Sequence, residues 1–260
     1  MNMYNLFYKL LNHNGLKIRI LQYLFFFATL YAIFLMPGYV FLSSLLTYGF
    51  LVTVGGNIGL HRYFGHNSFE TSKVIRSTLL FFSNYIGVGS VISWVGQHRI
   101  HHSYADTDND IHSPYTNNII KTIFGLWTVN ISKKLIIKES KQKDIVWYHK
   151  NYFKFHLLII SFWLILDFSM NTSLFFIMYA IPGFLCLLSG YILAFLTHYH
   201  GYQTYKVDDR STNSWIANIL TLGEGWHNNH HKHPHRWNTK VLSHEWDFPA
   251  FIIEKIKTSV

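Results

Sequence analysis

The chain has 260 residues, half of them hydrophobic and 18% aromatic, with only 13% Asp, Glu, Lys or Arg. A soluble domain carries about 25% charged residues, so the composition excludes an ordinary soluble globule as well as a disordered or collagen-like chain. The net charge of +9 comes from Lys and Arg that flank apolar runs, a pattern that fits anionic lipid headgroups better than nucleic acid.

In chain order, the first apolar run covers residues 20–36 and follows Lys17 and Arg19. It is uncharged and near the minimum length for crossing a bilayer. A signal peptide is the rival reading, but no small-x-small cleavage pattern follows the run. The second run, 39–60, is separated from the first only by Pro37 and Gly38, which predicts a tight hairpin. Residues 74–95 are moderately apolar but contain Arg76, Ser83 and Asn84; this segment is read as one helix lying along the membrane surface. Residues 133–150 are Lys-rich and are read as a solvated helix and loop. Spans three and four are expected at 155–170 and 173–197, the fourth containing Pro182. The expected organisation is one domain over 1–260: an all-α integral membrane protein of four spans, with the rest, 61–154 and 199–260, on one side of the bilayer.

All 22 Lys and Arg fall in the N-terminal segment, the middle region or the C-terminal region, and none in the connections 37–38 and 171–172. With four spans these charges share one face, and the positive-inside rule makes that face, with both termini, cytoplasmic.

The single cysteine, Cys186, excludes a disulfide framework, an all-cysteine zinc site and a cysteine-ligated iron–sulfur cluster. Histidine is the opposite case, with 17 residues. Three clusters stand out: His61 and His66; His98, His101 and His102; and His227, His230 and His231, with His198 standing alone. Positions i, i+3 and i+4 lie on one face of a helix, so each of the two three-histidine clusters can point one way. Positions i and i+5 do not share a face on a straight α-helix. His61 and His66 are therefore expected to reach different metals, or different sides of one site. His61 and His198 fall at the ends of spans two and four. All nine imidazoles can then meet just outside the bilayer, a set that suits a pair of first-row metals with four or five ligands each. His13, His149, His156, His233, His235 and His244, with His112 and His200 nearer the clusters, are read as ordinary surface or core residues.

These clusters resemble the histidine boxes of the membrane-bound fatty acid desaturases, in the branch of delta-9 acyl-CoA and acyl-lipid enzymes (stearoyl-CoA desaturase-like) with its H-x4-H, H-x2-HH and H-x2-HH boxes. The similarity extends to the flanking segments Asn57-Ile-Gly-Leu-His61-Arg, Trp94-Val-Gly-Gln-His98-Arg, Asp106-Thr-Asp-Asn-Asp-Ile-His-Ser113, Asp208-Asp-Arg-Ser-Thr-Asn213 and Leu222-Gly-Glu-Gly-Trp-His-Asn-Asn-His-His231, over about residues 50–250. The resemblance implies four transmembrane helices carrying a cytosolic helical cap. It implies two iron ions held by His61, His66, His98, His101, His102, His198, His227, His230 and His231, with O2 as co-substrate. Two positions depart from the pattern. Ala194 stands where family members place an Asn that holds a metal-bound water, leaving Thr197, Asn228 or an extra water as substitutes. Ile111 replaces a Pro in the acidic segment.

The implied reaction is insertion of a cis double bond into a saturated acyl chain, carried as a thioester or in a lipid. No side chain removes hydrogen from an unactivated methylene, so the task falls to metal and oxygen. A narrow apolar tunnel would fix the reacting carbons, and Trp94 and Trp226 are candidates to line it or to pack the core. No haem segment, cysteine cluster or convincing nucleotide loop is present; Gly55-Gly-Asn-Ile-Gly59 reads as helix packing. A separate ferredoxin or cytochrome-type donor is therefore implied. The rival readings are a related di-iron hydroxylase, ketolase or acetylenase, and a non-catalytic metal-binding or transport protein. Transporters place their ligands near the midplane, whereas these histidines lie at span ends and beyond.

Overall fold

The computed structural model describes residues 3–110, 113–116 and 141–258, with side chains from residue 18 onward. Residues 133–140 of the Lys-rich segment, and Ile111 with His112, lie outside the described residues. Among the described residues the structure is helical, with isolated β-bridges as its only extended pairing.

Helix α1 (Met3–Leu35) contributes an apolar stretch, Ile18–Leu35, long enough to span a bilayer. It stops before Pro37, which disfavours helical backbone at the residue preceding it, and Pro37 then caps α2 (Gly38–Leu51). Helix α2 runs without a break into a π-helical segment, Val52–Gly65, and the two form the second spanning unit, Gly38–Gly65. Apolar residues on the outer faces of these helices point away from the protein, as in Phe34 and Leu46, which are 77% and 81% exposed. That is the expected surface of a lipid-facing helix.

The segment 74–95 is two helices, not one. Helix α3 (Lys73–Tyr85) and helix α4 (Val91–Tyr104) are separated by a turn containing Gly87 and Gly89 at φ of +79° and +121°. Glycine adopts such angles without the Cβ penalty, and at Gly87 a Cβ would also collide with the Phe25 ring. The Ser90 side chain accepts from the Ser93 N–H and starts α4 in a new direction.

Helix α5 (Lys143–Met170) begins well before the apolar run, so the third span is the inner part of a longer helix. It ends at Asn171, in the left-handed conformation at φ +50°. Asp167 accepts from Thr172 Oγ1, Leu174 N and Phe175 N, which fastens the hairpin to the fourth span. That span is a π-helical turn, Phe176–Ala180, followed by α6 (Ile181–Tyr199). Pro182 lies just past the π-helical turn within a continuous helix, and the Met178 carbonyl four residues before it accepts instead from the Tyr85 hydroxyl at 3.0 Å. Three short helices complete the chain: α7 (Trp215–Thr221), α8 (His227–Lys232) and α9 (Phe248–Ile256). The core runs through the bundle, with Phe25, Ile58, Ile86, Ile92, Ile145 and Tyr179 fully buried.

Candidate metal centre

The π-helical segment decides where the first box points. Its backbone bonds close from residue i+5 back to residue i, and the His66 N–H donates to the His61 carbonyl at 3.1 Å. Such wider winding brings residues five apart much nearer one face than the roughly 140° separation of an α-helix. Straight α-helical geometry left His61 and His66 to reach either different metals or different sides of one site, and the structure favours the second. On the wider turn their ring centroids are 5.0 Å apart, and both join one group.

That group is His61, His66, His98, His102 and His230. A second group is His101, His198, His227 and His231. Within each, one ring nitrogen per residue lies within 4.8 Å of all the others. The groups adjoin: the His102 and His231 rings stack at 4.5 Å. Each three-histidine cluster is therefore split. On α4, His98 and His102, one turn apart, face the first group, and His101 turns to the second. On α8, His230 serves the first group and His227 and His231 the second.

Carboxylates stand behind four of the nine rings. His61 Nδ1 lies 2.5 Å from Glu224, His101 Nδ1 3.0 Å from Asp110, His198 Nδ1 2.8 Å from Asp106 and His231 Nδ1 2.7 Å from Asp209. An Nδ1–H donated to a carboxylate fixes the tautomer and leaves Nε2 as a bare lone pair. The Nε2 atoms then meet: His66 and His98 at 2.6 Å, His61 and His230 at 3.0 Å, His102 and His230 at 3.0 Å, and His198 and His227 at 3.1 Å. His231 Nε2 is buried with no hydrogen-bond partner. One proton per ring cannot satisfy all these contacts, and converging lone pairs repel unless a cation stands among them. The donor set therefore fits two metal ions. Imidazole suits iron, zinc, copper and nickel, and five imidazoles exceed what a tetrahedral zinc site uses.

The electrostatics agree. Burial first, and neighbouring imidazoles second, push His66, His98, His102, His227, His230 and His231 below the ordinary histidine range. They are neutral at pH 7, the form that ligates a metal. Burial alone would raise the Glu224 pKa, but Arg62 and His61 outweigh it and hold the carboxylate ionised. At Asp106 burial is again the largest influence and pushes up, but His198, Ser113 and the Arg210 N–H together outweigh it and hold the carboxyl below its ordinary range. Arg62 is itself 1% exposed, and all its N–H groups are used, on Glu224, Asp247 and the carbonyls of Gly223 and Trp237.

Other expectations resolve here. Thr197 Oγ1 is spent on the Leu193 carbonyl, and the Asn228 side chain binds Thr204, Tyr205 and the Tyr205 carbonyl. Neither replaces the Asn missing at Ala194. Trp226 is fully buried and donates to the Trp246 carbonyl, so it packs the core. Trp94 stacks on His98 at 4.7 Å and borders the site. His149 and His156 are buried in the bundle, against Ser90 and Tyr179. His235 Nδ1 meets the His66 carbonyl from outside the groups. The supporting carboxylates, with Arg62 and Asp247, went unassigned in the sequence reading. Part of their signal was there: Asp106 and Asp110 follow the second cluster and Glu224 precedes the third by a few positions, as ring-orienting carboxylates can, whereas Asp209 and Asp247 lie more than ten residues from the nearest of the nine histidines.

Among the described residues, fold and site together define a helical protein with four helices able to span a membrane and two adjoining histidine groups able to hold metal. The fatty acid desaturase family profile matches residues 36–245. An sn-1 stearoyl-lipid 9-desaturase of Anabaena variabilis is 32% identical over 198 residues, which is 72% of this chain and 70% of that protein. An sn-2 palmitoyl-lipid 9-desaturase of Nostoc sp. (strain 36) is 30% identical over 252 residues, 90% of this chain and 85% of the relative. A hex-5-enoyl-(acyl-carrier protein) acetylenase of Moorena producens (strain JHB) is 30% identical over 210 residues, 70% of this chain and 63% of the relative. The chain thus spans less than two thirds of the length of some relatives and well over two thirds of others. The chain belongs to the fatty acid desaturase family, a family of oxidoreductases, and it resembles the delta-9 desaturases within it.

Proposed function

We propose that the protein introduces a cis double bond, of delta-9 type, into a saturated fatty acyl chain, using O2 and two irons held by the nine histidines. The observation that carries this reading is the division of nine neutral imidazoles into adjoining groups of five and four, with their Nε2 lone pairs converging. His61, His66, His98, His102 and His230 would hold one iron, and His101, His198, His227 and His231 the other. Bound there, the irons would supply the redox chemistry with O2 that no side chain provides. The protein's own part is to keep these rings neutral and aimed. Glu224, Asp106, Asp110 and Asp209 set the tautomers, and Arg62 keeps Glu224 charged.

The substrate is an acyl thioester or an acyl lipid, and two electrons arrive from a separate ferredoxin or cytochrome-type donor. The whole chain acts as one unit, with the site and both termini on the cytoplasmic face, as the one-sided charge distribution supports. Expression in a desaturase-deficient host, followed by analysis of fatty acid methyl esters, tests the reading. A new monounsaturated acid, lost in His230→Ala, is the expected result. A hydroxylated or acetylenic product would assign a sister reaction, and no product despite bound iron and a competent donor would overturn the proposal.

A further inference from the structure

We infer that the outer face of α7 and the start of α9 is a lipid-contact surface, immersed in the leaflet on the histidine side of the bilayer although it belongs to none of the four spans. Helix α7 is inverted relative to a helix packed on a protein in water. Its inner side is Ala217, Asn218 and Thr221, all buried, two of them polar. Its outer side is Trp215, Ile216, Ile219 and Leu220, between 39% and 59% exposed. No residue of α7 carries a charge. Polar inside and apolar outside is the pattern of a helix whose surroundings are hydrocarbon. Phe248 and Phe251, on one face of α9, continue the exposed apolar surface. The two helices are tied together by Asn218 Nδ2 donating to the Trp246 carbonyl and by Pro249 packed on Gly223.

Depth identifies the occupant. The Tyr48 hydroxyl donates to the Leu220 carbonyl, and Leu222 Cδ1 lies 3.5 Å from where a Cβ would stand on Gly49. Asn57 Nδ2 donates to the Thr221 carbonyl at 2.7 Å. Tyr48 and Gly49 stand about 15 Å along the axis from the start of α2, at 1.5 Å per residue. A hydrocarbon layer is about 30 Å thick, so the end of α7, bonded to Tyr48 near mid-layer and to Asn57 nearer the edge, falls within the leaflet on the histidine side. On α2, Leu46 and Phe50, which flank Tyr48 and Gly49 in the chain, are likewise exposed apolar residues. Lys255 Nζ sits 5.9 Å over the Phe251 ring, a long cationic side chain beside this apolar face of the kind that extends towards headgroup phosphates. The same helix leads through Leu222 and Gly223 to Glu224, the carboxylate behind His61. Lipid contact is thus one turn of chain away from the site.

The test uses the full chain in nanodiscs of phosphatidylcholine and phosphatidylglycerol. Nitroxide labels are placed at Ile219→Cys, at Leu46→Cys as a lipid-facing control and at Lys206→Cys as an exposed control, each in a Cys186→Ala background. The ratio of collision rates with oxygen and with a water-soluble nickel chelate is read by electron paramagnetic resonance. The label at 219 is expected to match that at 46, with a ratio about tenfold above that at 206, since apolar oxygen concentrates in hydrocarbon and the chelate is excluded from it. A ratio at 219 equal to that at 206 would place α7 in water and overturn the inference. Protection from both reagents would overturn it too, by showing that protein covers this face. Neither result depends on whether the protein desaturates anything.

Discussion

His101 and His102 are adjacent in the chain, yet they serve different groups of imidazoles: His102 stands with His61, His66, His98 and His230, and His101 with His198, His227 and His231. Successive helical residues point about 100° apart at 3.6 residues per turn. A helix running between two sites can therefore feed both. Helix α4 does this with one H-x2-HH cluster and α8 does it with another. Replacing either histidine should then remove a different metal. His102→Ala is expected to lose iron from the five-imidazole group and His101→Ala from the four-imidazole group, each protein retaining about one iron of two. Metal analysis with Mössbauer spectroscopy distinguishes the remaining sites. Identical residual spectra from the two variants would contradict the division.

Three of the four rings in the second group rest on Asp106, Asp110 and Asp209, whereas one of five in the first group rests on Glu224. Loss of such a partner costs about 10–100-fold in metal affinity. Asp209→Asn should weaken the second group within that range, measured by competition with a graded series of chelators, and leave the first group unchanged. His244→Ala, at an exposed ring contacting Tyr202 and Trp215, should alter neither.

Ala194 lies one turn before His198 on α6, and Thr197 and Asn228 are engaged elsewhere. The second group therefore rests on its four histidines. Ala194→Asn should fold normally, because the side chain is only half-buried, and should bind at least as much iron as the parent. A loss of iron content in that variant would show that the position packs against the centre without offering it a ligand.

Arg62 satisfies two buried carboxylates at once, Glu224 and Asp247. Arg62→Met would leave both without their cation. Removing one partner of a buried pair costs about 3–5 kcal/mol. A clear fall in the thermal midpoint in detergent is expected, together with reduced iron binding. An unchanged midpoint would mean that the network adds nothing to stability.

The hairpin at Asn171 and Thr172 joins the third and fourth spans. In the proposed orientation, with the basic residues on the cytoplasmic face, this connection faces outward. Asn171→Cys should react with an impermeant maleimide added to intact cells, and Lys206→Cys only after permeabilisation. The reverse pattern would invert the topology.

Hydropathy alone was enough to find the four helices able to cross a membrane, because a bilayer demands long apolar runs and four such helices stand among the described residues. The nine histidines were likewise legible, since their clustering is local in sequence. How they divide was not. The pairing of His61 with His66 depends on π-helical winding over Val52–Gly65, which spacing rules for an α-helix miss. Assigning His230 and His231 to different groups requires the rotation of α8 against α4 and α6, set by contacts such as Asn229 with Asn213 and Glu245. The break of residues 74–95 into two helices depends on Gly87 fitting against Phe25, more than sixty residues away. Sequence specifies what is local, namely hydrophobic length, charge and donor type. Direction is a property of packed helices, and only the tertiary structure decides which lone pairs converge.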